Sequence, residues 1–137
     1  MAVVKELIRS EKDGTLSFGD FTLDTKSKLS DFAHGGDMYK VKTFYEITKL
    51  ERNGSFVYES VPGTAVNNFE AADDGVSFMV EGKEDAQITL ELEEGASYDI
   101  SINGEGAGTM KTNMGGKLVL SVEFDGGKPV TVNVKKA

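Results

Sequence analysis

His34 is the single histidine in 137 residues and cysteine is absent, so any nucleophilic or metal chemistry rests on one imidazole, hydroxyls and carboxylates. Without cysteine there is no disulfide, no thiolate nucleophile and no sulfur-ligated zinc or iron–sulfur site. Zinc centres draw on several His or Cys ligands, which excludes a His-rich one here. A Ser–His–Asp triad is available only around His34, and the chain has no Gly-x-Ser-x-Gly elbow to present the serine. Followed by Gly35-Gly36, His34 reads as a loop residue.

The carboxylates are the next candidates. Glu91, Glu93 and Glu94, or Asp73 and Asp74, offer oxygen ligands of the kind Ca²⁺ takes, but no EF-hand spacing is present and strand-face glutamates are ordinarily solvated. Two carboxylates about 5–9 Å apart act as acid and base in glycoside cleavage. With 23 acidic residues some pair meets that distance by accident, so this reading needs a pocket behind it. Gly104, Gly106 and Gly108 form a Gly-x-Gly-x-Gly string without the strand–loop–helix context of a phosphate site, and read as hairpin flexibility. No cofactor is expected.

Aromatic residues carry more. Eight of the twelve lie in residues 1–62: Phe18, Phe21, Phe32, Tyr39, Phe44, Tyr45, Phe56 and Tyr58. Small all-β modules bind sugars or peptides on such rings, which makes Tyr39, Tyr45, Phe56 and Tyr58 the candidate binding residues. The competing reading is that this half fills its core with rings, and the absence of tryptophan, the best stacking residue, favours it.

The net charge of −8 is unevenly spread: residues 1–62 hold 9 basic against 10 acidic residues, and 63–137 hold 6 against 13. Between Glu70 and Glu105 the only basic residue is Lys83. An acidic belt repels phosphate backbones and anionic bilayers, so neither nucleic acid nor a membrane is the expected partner. The N-terminus has no uninterrupted apolar stretch of signal-peptide length, and the expectation is a cytoplasmic protein.

These residues must be positioned by strands. Residues 98–102 and 118–124 alternate apolar and polar side chains, the period of two expected of a half-buried strand, and Asn103-Gly104 is a strong short-hairpin signal. Residues 4–24 read as a hairpin turning at Asp13-Gly14, with the apolar phase shifting by one at Gly19 as in a β-bulge. Residues 26–31 read as a polar connection. Residues 38–52 mix a helical stripe with strand formers, and Asn53-Gly54 followed by Ser55 to Val61 decides for one long hairpin. With Asn53 and Gly54 as its turn, Arg52 faces Ser55, Leu50 faces Val57 and Lys49 faces Tyr58. After the break at Val61-Pro62-Gly63 come six evenly spaced strand candidates, 64–69, 76–81, 87–92, 98–102, 118–124 and 130–134, with 106–112 a further one. Turn chemistry at Asp73-Asp74-Gly75, Glu94-Gly95, Gly115-Gly116 and Asp125-Gly126-Gly127 separates them. The inward sets are Val76/Phe78/Val80, Ile88/Leu90/Leu92, Tyr98/Ile100/Ile102, Leu118/Leu120/Val122/Phe124 and Val130/Val132/Val134.

Three segments also resemble a set of small uncharacterised proteins from anaerobic bacteria. They are Lys40-Val41-Lys42-Thr43-Phe44-Tyr45-Glu46-Ile47-Thr48-Lys49-Leu50-Glu51-Arg52-Asn53-Gly54 with Phe56-Val57-Tyr58-Glu59-Ser60-Val61-Pro62-Gly63-Thr64, Leu7-Ile8-Arg9-Ser10 with Asp13-Gly14-Thr15-Leu16-Ser17-Phe18-Gly19, and Gly108-Thr109-Met110-Lys111-Thr112-Asn113-Met114-Gly115-Gly116-Lys117-Leu118. The resemblance covers most of the chain, and some members of that set carry the automatic label endosialidase. It implies a family and no mechanism, and no site residue carries over. A typical sialidase grips its substrate carboxylate with three arginines, whereas this chain has two, Arg9 and Arg52, and lacks the length of a propeller.

The expected fold is therefore all-β: an antiparallel β-sandwich of immunoglobulin-like or transthyretin-like type over 63–137, with an aromatic-rich N-terminal sheet over 1–62. The expected role is a non-catalytic interaction or structural module that binds a protein or glycan or assembles with itself. The alternative is a glycoside-cleaving enzyme with paired carboxylates. Self-assembly would use edge strands, with residues 3–9 and 130–134 the candidate edges and Pro129 and Lys135-Lys136 guarding against pairing.

Overall fold

The computed structural model describes residues 3–124 and 127–137, so Asp125 and Gly126 of the expected 125–127 turn lie outside the described residues. Alternation and glycine turns produce thirteen described strands and no described α-helix: β1 Ile8–Ser10, β2 Leu16–Phe18, β3 Ser27–His34, β4 Asp37–Thr43, β5 Thr48–Arg52, β6 Ser55–Val61, β7 Ala65–Ala72, β8 Gly75–Glu81, β9 Ala86–Glu91, β10 Ser97–Ile102, β11 Glu105–Lys111, β12 Lys117–Val122 and β13 Val130–Lys136. They form two antiparallel sheets packed as a sandwich, one ordered β1-β2-β7-β8-β13-β10-β11 and the other β12-β9-β6-β5-β4-β3. Each sheet takes strands from both 1–62 and 63–137, so the two segments share one core.

Every apolar position assigned inward in the strands after Pro62 is buried or packed against the core. In the second sheet the inward positions form one unbroken row across all six strands, Leu29, Val41, Leu50, Tyr58, Leu90 and Leu118 in direct register. Tyr58 is the ring through which this sheet meets the other. It packs edge-on against Phe18 at 5.3 Å and Phe78 at 5.6 Å between centroids, the geometry that aromatic quadrupoles favour. Its hydroxyl is satisfied by Thr64 Oγ1 at 2.8 Å, and Ser60 Oγ sits 2.7 Å from the same atom. Thr48 Oγ1 donates to the Thr64 carbonyl at 2.8 Å and lies 2.8 Å from Thr43 Oγ1. The result is a buried hydroxyl chain that leaves no described buried side-chain polar atom without a partner.

Several local expectations are corrected. Residues 26–31 belong largely to β3 rather than to a connection, and His34 is the last residue of that strand rather than a loop residue. Residues 38–52 do not run as one arm: β4 and β5 pair antiparallel and the chain reverses at 44–47, closed by Phe44 N–H donating to the Ile47 carbonyl at 3.0 Å. In the β5–β6 hairpin Arg52 does face Ser55, but a register shift after Glu51 sets Leu50 opposite Tyr58 and Lys49 opposite Glu59. That bulge lets consecutive Val57 and Tyr58 both enter the core. The first strand starts only at Ile8, because Leu7 adopts φ 74°. Finally, β13 lies between β8 and β10 and is no edge; the sheets end on β1, β11, β12 and β3.

Candidate functional site

The β4–β5 turn is built to present aromatic side chains. Beyond its closing bond, Tyr45 N–H donates to the Leu23 carbonyl at 3.0 Å and Gly63 N–H donates to the Tyr45 carbonyl at 3.0 Å, so two neighbouring segments fix the backbone. Gly63 is required there: a Cβ would run into the Phe44 carbonyl oxygen. On this frame Phe44 and Tyr45 meet edge-to-face at 5.3 Å, and Tyr45 keeps 52 % of its surface exposed. Val61, 51 % exposed, and Pro62 stand beside it. Lys26 Nζ lies 5.8 Å from the Phe44 ring centroid, a cation–π contact. A recess of about 640 Å³ has Lys26, Lys42, Phe44, Tyr45, Val61 and Pro62 among its walls, together with the carboxylates Glu46 and Glu84. Tyr45 and Pro62 also border a second recess of about 1010 Å³ with Phe21, Thr22 and Lys83. The first volume falls inside the size range of small-molecule sites, about 300–1,000 Å³, and the second at its upper end. A hydrogen bond donated by the Tyr45 hydroxyl to the Glu46 carboxylate, and then the charge of Glu46, raises the Tyr45 phenol above its ordinary value.

At the opposite end of the sandwich a cleft of about 690 Å³ opens between the sheets, with Val57, Phe69, Leu90 and Tyr98 among its apolar walls. Asp73, Glu91, Glu93 and Glu94 give it an acidic rim. Two of these carboxylates are already partnered, Glu91 by Lys117 at 3.6 Å and Glu93 by Lys136. Phe56 lines the same cleft under Lys117 Nζ, 4.8 Å from its ring centroid.

His34 joins the two sheets. Its Nδ1 lies 2.7 Å from Ser10 Oγ on β1 and its Nε2 3.1 Å from the Gly14 carbonyl. A carbonyl only accepts, so Nε2–H donates to Gly14, and in the neutral ring Nδ1 then accepts from the Ser10 hydroxyl. The carboxylate of Asp37, cross-strand from His34, accepts from Asn53 Nδ2 at 2.9 Å and orients no imidazole. The contact reads as a surface staple between hairpins.

The four residues singled out in the sequence do not share a surface. Tyr45 is exposed at one end; Phe56 is half-buried at the other; Tyr39, half-buried on β4, packs edge-on against His34 at 5.9 Å between centroids. Tyr58 has no exposed surface, and burial pushes its phenol far above the ordinary value. What sequence reasoning missed is the outer face of β3, β4 and β5. One residue along from the inward row runs an outward one, Lys28, Lys42, Lys49, Glu59, Thr89 and Val119, again in direct register. Lys26, Lys28, Lys40 and Lys42 at intervals of two were its signal.

Among the described residues no group of three or more His, Cys, Asp or Glu side chains converges as metal ligands, and no helix is long and apolar enough to cross a membrane. No protein-family model, curated protein or solved structure matches the chain.

Proposed function

We propose that this protein is a non-catalytic binding module that takes a glycan at the β4–β5 turn, with Tyr45 as the residue that stacks on the sugar. The observation that carries the reading is the combination of exposure and rigidity at that one side chain. A tyrosine with 52 % of its surface in water, on a backbone held by three hydrogen bonds and at the mouth of two recesses, loses little conformational freedom when a ring lies on it. Sugars offer an apolar C–H face to an aromatic ring and hydroxyls to its rim, and Thr22 and Lys83 supply polar partners at that rim.

A panel of oligosaccharides titrated against the native chain and against Tyr45→Ala tests it. The expected result is measurable binding that weakens by about tenfold, equivalent to about 1.4 kcal/mol, on loss of the ring. Hydrolysis of the bound oligosaccharide, or binding indifferent to Tyr45→Ala, overturns the proposal.

A further inference from the structure

The outward lysine row is an expensive arrangement. Lys28 faces Lys42 and Lys42 faces Lys49 as direct cross-strand neighbours, and like charges in that position destabilise a sheet. With strands about 4.8 Å apart the three stems stand within about 10 Å of one another. Lys40 and Glu51 complete a recess of about 110 Å³ walled by the same three lysines. Lys26 is the fifth lysine of the face and leads toward Phe44 and Tyr45. Glu51 stands directly opposite Lys40 and Glu59 directly opposite Lys49, yet none of the five lysines forms an ion pair with a described residue. The clustering is also against the trend of the molecule. With these five set aside, the net charge of −8 becomes −13. Glu59 offsets the repulsion of the row only from its β6 side, and an anionic occupant laid over the lysines would offset the rest.

We propose that this face binds an acidic polysaccharide, a glycan bearing carboxylates along its length, laid across β3, β4 and β5 over Lys28, Lys42 and Lys49 and reaching the β4–β5 turn through Lys26. The proposal deepens the glycan reading above and rests on it. Continuity carries it: Lys26 and Lys42 line the same recess as Tyr45, alongside Glu46 and Glu84, so a chain stacked on the ring reaches the ammonium groups without leaving the recess. A lysine on each successive strand matches charges borne once per sugar ring or disaccharide. Duplex DNA carries a charge about every 1.7 Å on a stiff rod and would overhang this small patch onto the acidic remainder of the surface.

The probes are polygalacturonate, alginate and hyaluronan oligomers, each beside its carboxyl-esterified, neutral form, titrated at several salt concentrations. The proteins are the native chain, Tyr45→Ala and the double variant Lys42→Gln/Lys49→Gln. At least one acidic oligomer is expected to bind about tenfold or more tighter than its ester, with an affinity that falls as salt rises, by a slope on the order of −2 in log K against log salt if about three ion pairs form. The double variant is expected to lose that preference and keep binding to the ester. Equal affinity for acid and ester, or a preference untouched by the double variant, overturns the lysine proposal and leaves the glycan reading standing. Absence of binding to every acidic and neutral oligomer overturns both. Binding of single-stranded DNA or anionic vesicles through the same lysines, with no acidic oligomer bound, overturns the assignment of the occupant. A melting temperature of the double variant at or above the native value shows that the fold is intact.

Discussion

Lys42 stands directly opposite Lys49 across β4 and β5, while Val41 and Leu50, one residue along, face each other in the core. The pleat turns one cross-strand step into two unlike surfaces: the inner pair contributes apolar burial, and the outer pair repels. Several measurable consequences come from that opposition and from the turn beside it.

Lys42→Gln raises stability in the absence of ligand. Removing one member of the row relieves repulsion on both sides, which is worth roughly 0.2–1 kcal/mol for cross-strand pairs. Thermal unfolding at low salt reads it as a higher melting temperature, and added salt shrinks the gain because screening already weakens the repulsion. A lower melting temperature contradicts the reading of the face.

The same gain depends on pH with a definite sign. Burial, then the charges of Lys26, Lys49 and Lys28, hold the Lys42 amine below its ordinary 10.5. A lysine whose folded value is depressed is a liability while protonated, and that liability is relieved as pH rises through the folded value toward 10.5. The stability difference between Lys42→Gln and the native chain is therefore expected to narrow above neutral pH as 10.5 is approached. A difference that widens over the same range contradicts it.

Gly63→Ala weakens glycan binding while leaving the Phe44 and Tyr45 side chains themselves unchanged. The new Cβ meets the Phe44 carbonyl, which is backbone and cannot swing away, so the turn that holds Tyr45 must shift. A loss of about 1–3 kcal/mol in stability is expected from such overpacking, read by denaturant unfolding, together with reduced affinity in the folded fraction. Unchanged stability and binding would show that the turn is not held as described.

Two tyrosines separate packing from recognition. Tyr58→Phe removes the hydroxyl bonded to Thr64 Oγ1 and is expected to cost about 1–2 kcal/mol with no effect on binding. Tyr45→Ala is expected to leave stability within about 0.5 kcal/mol of native and to weaken binding about tenfold. Paired unfolding and titration experiments on both variants check the crossing of effects.

Much of the scaffold was legible because alternation and turn chemistry agree. Leu118, Leu120 and Val122 or Val130, Val132 and Val134 leave no choice of face. The β4–β5 reversal was not legible, because Phe44-Tyr45-Glu46-Ile47 contains no glycine, proline or asparagine and its strand-forming residues read straight through. The turn is set instead by Leu23 and Gly63, distant in sequence and invisible to local pattern. The central position of β13 was equally hidden, since strand order within a sheet depends on pairing between remote segments. Tyr45 could be nominated from composition, but Tyr58 has the same local sequence character and differs only through the bulge that turns it inward. The lysine face is hidden in the near balance of 9 basic against 10 acidic residues over 1–62, an average that conceals five lysines folded onto one side.

The most direct test follows the backbone amide resonances of the native protein while an acidic oligosaccharide that binds is added. Binding at the proposed face predicts shifts concentrated at residues 26–28, 40–49 and 61–63, lost from the lysine row in Lys42→Gln/Lys49→Gln and from the turn in Tyr45→Ala. Shifts concentrated instead around Arg52, Phe56 and Glu91 at the opposite cleft, with the β4–β5 turn silent, would contradict it.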